Sequence, residues 1–510
     1  MNETTPHETS GDTTVDGANY RAIRLEKIEE LKRLGYPVYP ERYETTHTLQ
    51  EASQLPDDTT DVSIAGRIIA IRIMGKLSFF TLQDLTGRMQ LAFQKGKEIP
   101  ADVYDDVLKK LLDTGDFLGV KGTIFTTKKG EKTVLVESFA FLGKGIRTLP
   151  EKFHGMTDRE LIYRQRYNDL IANRDSVQRF RLRTQLINTI RGYLNEDGFE
   201  EVETPILINK ASGALANPFV THHRALDIDF YLRIAPETYL KRLIVAGYTK
   251  VYEFAKCFRN EGMDPSHLQE FTMLEYYCAY WNYEDNMRYT EQLMAHLLEQ
   301  LFGTTTVHYQ GVEMDFTPPY KRITFRELLL DRIGLDILAY DSADSLRSEI
   351  RKMADSYEEL RKIDNLDQLG WGTLIDQVYK KTCRDSLIAP TFLTGHPIEL
   401  SPLARQNNEN PAIVDRFQLV ANGWELINAY SELVDPIEQR KRLVEQASAR
   451  DHGDDEAHPM DEDYLQAMEM GMPPISGWGM GIDRFMALIT EQTNLRDVVL
   501  FPLMRPLEIS

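Results

Sequence analysis

Residues 19–35, NYRAIRLEKIEELKRLG, set Ile23, Ile28, Leu31 and Leu34 at helical intervals with charges between them. Gly35 and Pro37 stop this helix. From Val62 to about Leu142 the pattern changes to short alternating runs: VSIAGRIIAIRIM, LSFFTLQD, GRMQLAF, DFLGVKGTIF and TVLVESFAFL. A helical insert, ADVYDDVLKKLL, separates the third run from the fourth. Short strands joined by turns such as DLTG and KKGE, with one helix between the third and fourth, predict a small closed β-barrel of the OB type.

The stretch LPEKFHGMTDRELIYRQRYNDLI is charged and mostly helical, and reads as a connection between domains. A long helix follows, ending near Gly198 and passing into the strand-like VETPIL. Runs rich in β-formers recur at DIDFYLRIA, KVYEFAKCF, FTMLEYYCAY, FQLVANGWELINAYSEL and ISGWGMGID, with helices such as TYLKRLIVAG and EDNMRYTEQLMAHLLEQLF between them. This predicts an α+β domain built on an antiparallel sheet flanked by helices. The expected divisions are a disordered tail over 1–18, a helix and barrel over 19–150, a linker over 151–180, and the α+β domain over 181–510 with a helical insertion around 330–385. The chain shows no internal repeat and no Rossmann or P-loop glycine pattern.

Composition changes this picture little. At 510 residues, 42% apolar and 27% charged, the chain is long enough for two or more domains with a large core. No apolar run is long enough to span a bilayer, and the polar N-terminus lacks the pattern of a secretory signal, so a soluble cytoplasmic protein is expected. Cys257, Cys278 and Cys383 form no CxxC pair; reduced, buried thiols are expected, and neither a zinc site nor a disulfide framework. The net charge of −20 argues against indiscriminate nucleic-acid binding, but leaves room for a local surface that takes one RNA.

The candidate chemistry concentrates in RNEGMDPSHLQEFTMLEYY, residues 259–277. GMDP marks a turn, and strand alternation puts Phe271, Met273, Glu275 and Tyr277 on one face. A ring, a carboxylate and a phenol on one face, with Arg259 at the hairpin's mouth, suit an organic ligand with anionic and cationic ends. The same residues also suit a half-solvated hairpin with its polar groups turned to water.

Three separated pieces, GFEEVETPIL, FRNEG…EFTMLE and GMGIDRFMAL, resemble in this order the three motifs of class II aminoacyl-tRNA synthetases. The stretches ASGALANPFVTHHRALDIDFYLRIAPETYLKRL, SPLAR and NAYSELVDP are similar to the lysyl-tRNA synthetase branch, and the resemblance runs from about residue 20 to 506. It implies a lysine–tRNA ligase that uses ATP and Mg²⁺, charges the terminal adenosine of tRNA(Lys), and forms a homodimer through the first motif. In that reading Arg259 and Arg484 bind the α- and γ-phosphates of ATP, a role that suits the planar guanidinium fork. Phe271 stacks on adenine, while Glu261 and His267 contact the nucleotide. Gly213 and Glu237 hold the α-amino end of lysine; Glu275, Tyr277, Asn428, Tyr430 and Glu432 form the rest of the lysine pocket. Strand parity independently puts Asn428, Tyr430 and Glu432 on one face.

In the barrel, alternation turns Phe80, Leu82, Met89 and Leu91 inward and leaves Phe79 and Gln90 outside, the ring-and-amide pair of a single-strand binder. The resemblance assigns anticodon recognition to Phe79, Gln90 and Glu137, and Arg72, with Arg67, Lys76 and Arg88, could hold the RNA backbone. Four departures stand out. Asn217 and Ile71 each occupy the place of an arginine, and SHLQEFT replaces RHNPEFT. The family's two metal-binding glutamates become Glu425 and Gln418, and an amide is the poorer Mg²⁺ ligand. Glu425 also has the wrong strand parity to share a face with Asn428 unless a twist or bulge intervenes. Two other readings stay open: a non-catalytic tRNA-binding paralogue, or a transferase that lysylates a protein.

Overall fold

A computed structural model of the chain describes residues 13–149, 157–210, 213, 216–340, 342–451 and 460–507, without the side chains of 13–18 and 448–451. Most of the expected tail, the first residues of the expected linker, and Ala211, Ser212, Ala214 and Leu215 of the ASGALANPF stretch lie outside the described residues. The chain forms two compact units, Met1–Asp158 with Tyr167–Asn173, and Arg159–Arg166 with Arg174–Ser510.

In the first unit a helix spans Thr13–Arg33, beginning earlier than the apolar spacing suggests. Ile28 and Leu31 are buried, whereas Ile23 and Leu34 stay exposed, so the buried stripe is narrower than the periodicity implied. Strands β1 (Val62–Met74), β2 (Leu77–Gln83), β3 (Arg88–Gln94), β4 (Phe117–Thr126) and β5 (Lys132–Gly143) close into a barrel in the order β1-β2-β3-β5-β4. The insert between β3 and β4 is helical, wound as a π-turn over Val103–Leu108. Phe80, Leu82, Met89 and Leu91 fill the barrel, as alternation requires.

In the second unit the long helix runs Arg174–Glu196 and stops before Gly198, whose φ of +80° is left-handed. VETPIL, residues 202–207, is not a strand: β6 (Glu200–Glu201) ends before it, and only its last residue, Leu207, joins β7 (Leu207–Ile208), beyond Pro205. Then come β8 (Val220–His223), β9 (Ile228–Leu232), β10 (Lys250–Phe258), β11 (Glu270–Ala279), β12 (Thr306–Tyr309) and β13 (Val312–Asp315). The last strands are β14 (Lys321–Thr324), β15 (Thr391–Thr394), β16 (Arg416–Ala421), β17 (Trp424–Ser431) and β18 (Ile475–Gly481). The main sheet has the order β14-β15-β16-β17-β18-β11-β10-β6.

The sheet is antiparallel through its centre and parallel at both ends, where β14 pairs with β15 and β10 with β6. A parallel pair needs a long crossover. The β14–β15 crossover is the helical block, with helices Phe325–Ile333, Ala343–Met353 and Trp371–Thr382 around their own core of Leu328, Leu346, Leu374 and Val378. One sheet face buries Leu274, Tyr276, Leu419, Ile427 and Met480 against Leu186, Leu293 and Phe485 of three helices. The opposite face carries the candidate site. All three cysteines are buried and reduced.

Candidate functional site

A cleft of about 450 Å³ lies over the centre of the sheet. Strand alternation decides what lines it. From β11 the cleft takes Phe271, Met273, Glu275 and Tyr277, while Leu274 and Tyr276 turn to the core. From β17 it takes Asn428 and Tyr430, and from β18 Gly477 and Gly479. Gly213, Glu237, Arg259, Glu261, His267, Gln418, Glu425 and Arg484 complete the wall. Every residue expected at the ATP or lysine site therefore lines one cleft, except Glu432.

The parity problem at Glu425 has a structural answer. The β16–β17 register runs Gln418 against Asn428 and Leu419 against Ile427, then jumps to Val420 against Glu425. Leu426 is the extra residue of a bulge, and the slip returns Glu425 to the face of Gln418 and Asn428.

The cationic end is built by the β10–β11 hairpin and the last long helix. Arg259 N donates to Gln269 O at 2.9 Å, and the Arg259 guanidinium carbon stands 5.1 Å from the Phe271 ring centre. Arg259 Nε is buried with no hydrogen-bond partner among the described residues. An orphaned buried guanidinium N–H is costly and marks a place for an anion. Gln269, which stands where the resemblance expects proline, donates its amide to Gly262 O at 3.0 Å and ties the loop. His267 Nδ1 donates to Asp264 Oδ2 at 2.8 Å, on the exposed rim. Arg484 sits in the first turn of the helix Ile482–Ile489, and its enclosure in the site lowers its pKa against the pull of Glu425. Asp483 accepts Thr272 N at 2.9 Å and pairs with Arg183 at 2.6 Å, which fixes that helix to β11.

The other end is acidic and dry. Gly213 has φ +96°, and a Cβ there would stand 3.1 Å from Glu237 Cβ. Tyr430 Oη donates to Glu237 Oε1 at 2.8 Å, and Tyr277 Oη donates to Glu275 Oε2 at 3.3 Å. Burial, then the neighbouring Glu237 charge, push the Glu275 carboxyl up to about 8. Glu432 lies behind the wall, fully buried, and is ion-paired with Lys241. Arg416 Nε donates to Asn428 Oδ1 at 2.8 Å and orients that amide. Sequence reasoning missed Lys241 and Arg416. Lys241 had a signal, since it follows Glu237 by one helical turn in ETYLKRL and so shares its face.

Gln418 and Glu425 offer one amide oxygen and one carboxylate to a metal. Among the described residues no group of three or more His, Cys, Asp or Glu is placed to hold an ion. Two such ligands fit a Mg²⁺ ion whose remaining oxygens come from a triphosphate and water.

On the barrel, Arg72 pairs across from Phe79, Phe79 from Ala92, and Ala92 from Leu135, so these lie on one outer face. Gln90 shares it, donating to Glu131 at 2.8 Å and accepting from Thr133 at 2.9 Å. Glu137 sits at the register shift of β5 and accepts from Thr123 at 2.7 Å. Arg72 is exposed, but Arg67 is spent inside the fold, donating to Gly115 O at 2.9 Å and lying 4.2 Å over Phe117. Ile71 packs against the barrel core.

Residues 158–505 match the family described as tRNA synthetases class II (D, K and N), and residues 62–142 match the OB-fold nucleic acid binding domain. The chain is similar to the lysine–tRNA ligase of Carboxydothermus hydrogenoformans, 46% identical over 95% of this chain and 97% of that protein. It is similar also to those of Fervidobacterium nodosum, at 45% identity over 96% and 94%, and Thermosipho africanus, at 43% over 96% of each.

Proposed function

We propose that this chain, which belongs to the class II tRNA synthetases (D, K and N), ligates lysine to tRNA at the expense of ATP. One observation carries the reading: a single cleft has the Arg259 and Arg484 guanidinium groups at one end and the buried Glu237 and Glu275 carboxylates at the other. That polarity matches a triphosphate and a diammonium amino acid. The lysine carboxylate attacks the α-phosphorus, the bond to the β-phosphate breaks, and pyrophosphate leaves. The terminal ribose hydroxyl of tRNA then attacks the acyl carbon and releases AMP.

No side chain need form a covalent bond, so this chain's contribution is positioning and charge. Arg259 meets the charge that builds on the α-phosphoryl oxygens, and Arg484 holds the far phosphate. Phe271 offers its ring to adenine, with Glu261 and His267 at the rim. Glu237 and Gly213 take the α-ammonium of lysine, and Glu275, Tyr277, Asn428, Tyr430 and Glu432 form the side-chain end. Glu425, with Gln418, would hold a Mg²⁺ ion that neutralises phosphate charge. The outer barrel face of Arg72, Phe79, Gln90 and Glu137 is assigned to the anticodon.

Among the described residues no helix is long and apolar enough to cross a membrane. A ligase that consumes ATP and charges tRNA works where both are, in the cytoplasm. A homodimer belongs to the same reading through the first motif, and sedimentation tests it. A protein-lysylating or non-catalytic role is disfavoured by the similarity to ligases along the whole chain, barrel included. The test is ATP–pyrophosphate exchange with each proteinogenic amino acid in turn. Exchange that depends on lysine is expected; exchange driven better by another amino acid overturns the reading.

A further inference from the structure

Behind the acidic end of the cleft lies a cation that none of the roles above uses. Lys241, on the helix Glu237–Val245, has no exposed side-chain surface. Its Nζ is 2.5 Å from Glu237 Oε1 and is also ion-paired with Glu432 Oε2. The rings of Tyr430, Tyr464 and Tyr277 surround it, with centres at 5.7, 5.8 and 5.9 Å. Lys241 is the one ion-pair partner of Glu432 among the described residues, and burial raises the Glu432 carboxyl well above its ordinary value against the pull of that ammonium. Burial opposes charge on Lys241, but Glu237 and Glu432 outweigh it and raise its pKa well above the ordinary value. The two carboxylates therefore favour the ammonium form.

A buried carboxylate without a counter-charge takes up a proton or leaves its place. Two carboxylates, Glu237 and Glu432, pair with this lysine, and a third, buried Glu275, lies near enough to both for like charge to be felt. Two further charged pairs lie nearby, Glu253 of β10 with Arg233 at 2.6 Å and Arg242 with Asp461 at 3.4 Å. Tyr277, Tyr430 and Tyr464 all titrate above their ordinary range.

We propose that Lys241 is the positioning residue for lysine selection: a resident ammonium that holds Glu237 and Glu432 in place and offsets part of their charge, leaving a negative surplus for the two ammonium groups of the substrate. The inference rests on the lysine-ligase reading. It separates Lys241 from a merely structural ion pair, because it ties the residue to the protonation of the pocket. Without the Lys241 charge Glu432 holds a proton more tightly, and a protonated carboxyl cannot meet an ammonium with full charge.

The experiment compares the parent with Lys241→Met and with Lys241→Met combined with Glu432→Gln, as full chains in lysine-dependent ATP–pyrophosphate exchange. Lysine-dependent exchange by the parent is established first, and its absence would overturn the ligase reading itself. In Lys241→Met, KM for lysine should rise about tenfold or more, with a smaller change in kcat. The acidic limb of kcat/KM for lysine should move up by about one pH unit, the scale of losing one adjacent opposite charge. The double variant restores the charge balance, so its limb should return to the parent's position while KM stays raised. Superposable pH profiles for parent and single variant overturn the proposal, as does a double variant whose limb stays displaced. Should Lys241→Met fail to fold, the charge-balanced double variant carries the test: a limb at the parent's position with a raised KM supports the proposal, and a displaced limb or a failure to fold overturns it.

Discussion

A methyl group added to Gly477 would stand 2.2 Å from Glu432 Oε1 and 2.5 Å from Tyr277 Cε1. Gly477 of β18 pairs with Tyr277 of β11 and with Tyr430 of β17. The missing side chain is therefore what lets two pocket residues, Glu432 and Tyr277, approach one point. Gly477→Ala should push Glu432 and Tyr277 aside. Overpacking of this kind costs about 1–3 kcal/mol, and spent on the pocket it would raise KM for lysine about ten- to a hundredfold. KM for ATP should barely change, since the nucleotide end lies farther along the sheet. Equal rises in both constants would mean that the whole sheet had shifted.

Arg259→Ala should depress adenylate formation about a hundredfold or more, the scale for losing one preorganised donor to developing charge. Thermal unfolding should hardly move, because Arg259 Nε has no hydrogen bond to lose and the ring contact with Phe271 is partly solvated. Near-normal single-turnover adenylation in the variant would remove Arg259 from the phosphate site.

Glu275 makes lysine binding pH-dependent. Its carboxyl is raised from 4.5 to about 8, so between those values the empty folded state holds a proton that the unfolded chain has lost. The folded state binds more protons there, so this group's contribution to stability falls as pH rises from about 4.5 to 8. An arriving ammonium favours the ionised form and expels the proton. Lysine affinity should therefore rise with pH by up to about tenfold per unit until near pH 8. The lysine-induced increase in Tm, measured at pH 6 and pH 8, should be larger at pH 8. An equal increase at both would mean that Glu275 is already ionised in the empty cleft.

Phe79→Ala should weaken tRNA aminoacylation by about 1–3 kcal/mol, the worth of one base stack. Phe79 is half-buried on the outer face, whereas Phe80 is fully buried in the barrel core. ATP–pyrophosphate exchange needs no tRNA and should be unchanged. Parallel losses in the two assays would show that the ring supports the fold.

The barrel and the sheet's two faces were legible because period-two alternation is a local property: Phe79 and Phe80 declare their sides without reference to anything distant. The same rule failed at Glu425, where one extra residue, Leu426, reverses the side of everything before it. A bulge leaves no fixed residue type behind, so parity could demand one but not locate it. VETPIL read as a strand on β-propensity, yet only its last residue, Leu207, joins one. The parallel end of the sheet depended on where the chain returned after the helical block, which no local pattern encodes. Lys241 was missed because a lysine in an amphipathic helix ordinarily faces water. Only the tertiary arrangement, which brings Glu432 of a distant strand end over the helix, turns it into a buried cation.

Gln418 bears on the metal requirement. It faces Asn428 in the register and shares the Glu425 side of the sheet, so a carboxylate at this position would be a second anion on the site face. As an amide it contributes no charge, and the ring beside it is neutral: burial and the nearby Arg416 charge drive the His396 pKa well below its ordinary value. A nucleotide-bound Mg²⁺ usually needs only one or two protein carboxylates, and Glu425 remains. The parent should therefore be active with a raised requirement for free Mg²⁺, and Gln418→Glu should lower it. Pyrophosphate exchange titrated against free Mg²⁺ at fixed ATP measures the half-saturating concentration for each. A glutamate variant that needs as much metal as the parent would place Gln418 outside the metal site. One outcome separates the two possible fates of the new carboxylate. If the glutamate pairs with a newly protonated His396 instead of the ion, the metal requirement stays and the variant gains a titration that His396→Phe abolishes.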